Sequence, residues 1–116
     1  MNIGFMSDVH LTSAKETFML DCRAAGLAPK TLRSYRDVLT RFIRFVGDLT
    51  VQELKPDHVR SYIADLADRA GRRSLAKHYA VIRTWIRWLY LQKRLTDRGS
   101  FVTAPRLGFP ARSFVY

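Results

Sequence analysis

The residues of this chain best suited to chemistry lie between Arg69 and Thr96. Eight cationic side chains (Arg69, Arg72, Arg73, Lys77, Arg83, Arg87, Lys93 and Arg94) occur there without one Asp or Glu. Tyr79, Trp85, Ile86, Trp88 and Leu89 are interleaved with them, so one side of a helix can pack while the cations stay outside. A solvated surface ordinarily mixes both signs. An unbalanced cationic stripe on an ordered element points to a polyanion, most often a nucleic-acid backbone. A second stripe lies upstream: at about 100° per residue, Lys30, Arg33, Arg41 and Arg44 share the side opposite an apolar face, with Arg36 at the border.

Other chemistries find little support. His10, His58 and His78 are far apart and have no acidic or cysteine partner at ligand spacing, so no metal site is predicted. His10 is assigned to an N-terminal tail, His58 to the first turn of a helix, and His78 to the basic helix within reach of phosphate. The six glycines are scattered singly, which rules out a Gly-rich phosphate cradle, and no nucleophile motif occurs. No cofactor is expected. Cys22 is the sole cysteine, so no internal disulfide can form, and its neighbours Met19 and Ala25 suggest a buried thiol.

The elements that must position the cations are helical. Ser13 and Glu16 fit a capping box and Gly26 a stop, which predicts a first helix from about Ala14 to Ala25. Pro29 suits the first turn of a second helix, whose apolar positions Leu32, Tyr35, Leu39, Phe42 and Val46 recur at three- and four-residue steps before Gly47. Thr50 and Glu53 form another capping box. Pro56 and Asp57 open a third helix carrying Val59, Tyr62, Ile63 and Leu66, with Gly71 as its end. The fourth is predicted from near Ser74 to about Leu95, with Leu75, Tyr79, Ile82, Trp85, Ile86 and Leu89 inside. No segment alternates with a period of two, so the fold class is all-α, a helical bundle.

Domain organisation follows from these patterns: a tail over 1–11, a helical domain over 12–98, and a linker or tail over 99–116. The last segment has two prolines and no helical period, yet Phe101, Val102, Leu107, Phe109, Phe114 and Val115 suggest that it packs on something. With 116 residues the chain is one domain, and a net charge of +10 favours anionic partners. No apolar run approaches the roughly 18 residues of a spanning helix, and the N-terminus lacks the regions of a secretory signal. The expected location is the cytoplasm, with no membrane partner.

The order of residues resembles the N-terminal core-binding domain of tyrosine recombinases, the phage integrases and Xer-type enzymes. The family pattern Thr-x-x-x-Tyr-x-x-x-Leu-x-x-Phe in the second helix is matched by Thr31, Tyr35, Leu39 and Phe42. Its fourth-helix pattern is matched by Ser74, Lys77, His78, Ile82, Arg83, Trp85, Ile86, Trp88 and Leu89. The resemblance covers roughly Thr12 to Leu95 and implies a four-helix, SAM-like orthogonal bundle that forms half of a clamp around DNA. The DNA-facing positions that it implies are Lys30, Thr31, Arg33, Ser34 and Arg36 on the second helix, with Arg72, Arg73, Ser74, Lys77 and His78 at the start of the fourth. The charge pattern adds Arg41, Arg44, Arg83 and Arg87, while Tyr35 and Trp85 fall on core positions of the family.

Relatives carry a C-terminal catalytic domain with a His-x-x-Arg motif and a tyrosine nucleophile. Here His10, His58 and His78 are followed three positions later by Ser13, Ser61 and Val81. Tyr116 has no phosphate-stabilising groups of that kind beside it in the sequence, so strand transfer by this chain alone is not expected. The chain reads as ending where a catalytic domain would begin, a bacterial, archaeal or phage-derived binding domain for site-specific DNA integration or recombination. Double-stranded DNA is the expected partner, with other recombinase protomers in a synaptic complex. The alternative is a basic helical interaction module that binds RNA or an acidic protein.

Overall fold

The computed structural model describes residues 9–92, so the segment assigned to a C-terminal linker lies outside the described residues. Four helices follow in order: α1 (Leu11–Ala24), α2 (Pro29–Val46), α3 (Pro56–Ala67) and α4 (Arg72–Leu91). A 3-10 turn, Val51–Glu53, sits between α2 and α3. The helices bury one continuous core in which α2 packs on each of the other three.

Local chemistry explains most of the boundaries. Pro29 and Pro56 occupy first turns, where a missing N–H costs nothing. Gly26 and Gly47 hold φ of 88° and 94°, values that a side chain disfavours, and so release the chain after α1 and α2. The Thr50 and Glu53 box forms as its spacing predicts, with the Thr50 N–H donating to Glu53 Oε1 at 2.9 Å. His58 lies in the first turn of α3, where its Nδ1 accepts the Lys55 N–H.

Three boundaries differ from those the sequence predicts. The Ser13 and Glu16 box does not cap α1, which already begins at Leu11, and Glu16 instead accepts from Arg36 Nη1 at 2.9 Å. Asp48 does the capping: its Oδ1 accepts the Thr12 N–H at 2.9 Å from 36 positions away. His10 is no tail residue, since it bridges to Thr50 and its Nδ1 bonds the Asp48 carbonyl at 3.0 Å. Leu11, also assigned to the tail, is fully buried. Gly71 does not stop α3, which ends at Ala67; it is the extended residue before α4, whose first residue, Arg72, lies two positions ahead of Ser74.

The Asp48 cap is testable. Thr12 holds the carboxyl below its ordinary 3.8, so its contribution is present above about pH 4 and lost as pH falls through the lowered folded value. Asp48→Ala is expected to cost about 1 kcal/mol at neutral pH. In urea melts the difference between the two proteins should shrink progressively as pH falls below the ordinary 3.8 and through the lowered folded value, as the wild-type cap takes up its proton.

The core is aromatic along α2. Phe18 stacks on Tyr35 at 5.9 Å, and Phe42 meets Tyr62 and Trp85 edge-on at 5.3 and 6.5 Å. Trp88 reaches out of the core to give its Nε1–H to Asp21 at 2.9 Å, fixing α4 against α1. Cys22 is buried, as its neighbours suggest, and burial pushes its thiol above the ordinary range.

Candidate nucleic-acid interface

The N-terminal halves of α2 and α4 meet along a cleft of about 410 Å³. Lys30, Thr31, Ser34 and Tyr35 form one wall, and Ala76, Lys77, Ala80 and Val81 the other. Ala76 and Ala80 keep it open, because longer side chains at those positions would fill the space between the helices. Tyr35 closes the floor against Phe18, as a packing residue. No carboxylate lines this cleft, and Lys30 and Lys77 are exposed with no ion pair among the described residues.

Arg72, Arg73 and Ser74 are exposed in the first turn of α4, below Lys77 on the same helix. Gly71 supplies no side-chain cap and the turn has no acidic residue, so positive backbone ends and two guanidiniums share one place. Cations at a helix N-terminus are unfavourable, and an anion placed there relieves both the open N–H groups and the repulsion.

The remaining cations of the expected site are dispersed. Arg33 and Arg36 line a different groove, between α1 and α2, where Arg36 is held by Glu16. Arg41 and Arg44 face α3. The upstream stripe also contains a carboxylate: Asp37 falls among its cations and pairs with Arg41 at 3.3 Å. Arg83 and Arg87 are exposed farther along α4.

His78 departs most from its expected place. Its residue is 7% exposed, and its Nδ1 shares a hydrogen bond of 2.9 Å with the Tyr62 hydroxyl on α3. Burial first, then the charge of Lys77, lower its pKa below 6.5, so the imidazole is neutral at pH 7. A neutral ring held inside is a poor phosphate contact. Lys77 and His78 are adjacent, and the helical turn sends the former to the cleft and the latter to the core.

The family model of the phage integrase N-terminal SAM-like domain matches residues 20–93. The chain belongs to this family. The match begins inside α1 and runs through α4, so the SAM-like domain includes both walls of the Lys30 and Lys77 cleft. This domain is the non-catalytic N-terminal part of integrases, and membership associates the chain with DNA integration and recombination by tyrosine recombinases. No curated protein and no solved structure matches the chain. Among the described residues of this SAM-like domain, no helix is long and apolar enough to cross a membrane. No group of three His, Cys, Asp or Glu residues there could hold a metal ion.

Proposed function

We propose that this SAM-like domain binds duplex DNA at a recombination site, with the cleft between α2 and α4 as its centre. The observation that carries the reading is that Lys30, Thr31, Ser34 and Lys77 converge on one carboxylate-free cleft beside the open start of α4. Lys30, Lys77, Arg72 and Arg73 supply phosphate contacts, which give most of the affinity. Thr31 and Ser34 have hydroxyls that can meet phosphate or base edges. His78 acts behind this surface, holding α4 to α3 through Tyr62. In recombination the domain holds one DNA arm and other protomers assemble around it, while strand transfer belongs to catalytic groups of the kind that these residues do not provide.

Binding of this kind releases counterions. If about six phosphates are contacted, the log–log dependence of affinity on salt for a mixed-sequence duplex is expected to have a slope near −5. Fluorescence anisotropy across a salt series measures it, with structured RNA and polyglutamate as competitors. A slope near zero, or stronger competition by RNA or polyglutamate than by duplex DNA, would reject the reading.

A further inference from the structure

The groove between α1 and α2 flanks α2 on the side away from α4, and its chemistry differs from that of the Lys30 and Lys77 cleft. Met19, Leu20 and Leu32 give it an apolar lining around about 300 Å³, and Arg23, Arg33 and Arg36 supply its cations. We infer that this groove docks an acidic segment of another protein, with one large apolar side chain of that segment between the helices and its carboxylates on Arg23 and Arg33. The inference goes beyond the DNA reading and does not depend on it, since it gives a second face to a second class of partner.

The residue types favour a peptide over a phosphate backbone. Leu20 is 64% exposed, whereas Leu11, Phe18, Met19 and Cys22 of the same helix are buried. Covering such a side chain is favourable for a partner with apolar groups of its own, and a phosphate backbone gains little from it. Guanidiniums suit carboxylate and phosphate alike, so the apolar lining decides between them. Methionine and arginine are also the residue types enriched where proteins meet. The carboxylate that lines the groove, Glu16, is already held by two cations, Arg36 Nη1 at 2.9 Å and Lys15 Nζ at 3.4 Å. Arg23 and Arg33 have no ion pair among the described residues and are left to receive an incoming acid.

This chain is a poor source of that segment. Besides Leu20, the large apolar side chains exposed among the described residues are Phe45 and Leu91. Phe45 lies among Arg41, Arg44 and Arg69, and Leu91 follows the exposed Arg87 by one turn of α4, so a second copy would bring cations to cations. Residues 93–116 carry Lys93, Arg94, Arg98, Arg106 and Arg112 against Asp97 alone, and residues 1–8 have one acid, Asp8. Charge complementarity therefore assigns the groove to a different, acidic chain.

The test titrates the full chain into a fluorescein-labelled synthetic peptide of leucines separated by glutamate pairs, followed by anisotropy at low salt, with circular dichroism confirming that each variant is folded. Saturable binding is expected. Arg23→Glu with Arg33→Glu should weaken it about tenfold or more, since buried arginine contacts are among those that dominate interfaces. Arg23→Lys with Arg33→Lys should restore most of it, and Leu20→Ala should weaken it about fivefold through lost apolar contact. Lys55→Glu with Arg60→Glu makes the same change in total charge at α3 and should leave it within about twofold. Absence of saturation, equal binding of a peptide with serine in place of leucine, or equal losses in the two glutamate variants would overturn the inference. Duplex DNA provides the second readout: Arg23→Glu with Arg33→Glu should lose far less affinity for it than Lys30→Glu with Lys77→Glu. An equal loss would give the groove to DNA and overturn the inference, whereas a chain that bound the peptide in this pattern and no duplex would uphold it and remove the DNA reading instead.

Discussion

Trp85→Ala is expected to cost about 3 to 5 kcal/mol, the range for truncating a large buried aromatic. Trp85 has no exposed surface and meets Phe42 edge-on in the part of the core where α2 and α4 join. A small domain commonly has 5 to 15 kcal/mol in all, so the variant should be close to unfolding at room temperature. Trp85→Phe separates two contributions. The indole Nε1–H has no hydrogen-bond partner among the described residues, and phenylalanine removes that buried donor while keeping most of the ring contact. Its cost should therefore be well below that of alanine. Urea unfolding monitored by circular dichroism measures both. An alanine variant of near wild-type stability that no longer bound DNA would make the indole a contact residue instead of a core one.

What the sequence could and could not reveal follows from the range of each interaction. The α2 apolar face was legible because Tyr35, Leu39 and Phe42 repeat within a few turns, and the structure buries all three. Asp48 was not legible as the cap of α1, because nothing local to Ser13 or Glu16 announces a carboxylate brought in from the α2–α3 connection. The two basic stripes were visible as charge, but a wheel drawn for cations alone omits Asp37, and it is this carboxylate that divides the upstream stripe. For His78, position beside Lys77 suggested a shared surface, whereas a helix separates neighbours by about 100°. Its partner Tyr62 lies on another helix, so their bond depends on the tertiary packing of α3 against α4. Ala76 and Ala80 gave no chemical signal at all, and yet their small size is what opens the cleft.

The cleft itself makes the second large prediction. Lys30→Glu with Lys77→Glu removes two phosphate contacts, each of which contributes about 0.9 to the log–log salt slope. At about 0.1 M salt this alone reduces affinity by about 60-fold, and the new carboxylates add repulsion to the loss. Both side chains are exposed and unpaired among the described residues, so the melting temperature should change little. Net charge must be controlled, because a chain at +10 attracts DNA at long range wherever its cations sit. Arg23→Glu with Arg60→Glu makes the same change in total charge on α1 and α3, away from the α2–α4 cleft. If affinity depends on convergence at the cleft, this control should weaken binding far less than the lysine pair. Equal losses would mean that DNA responds to overall charge, and the cleft would then have no privileged part in binding.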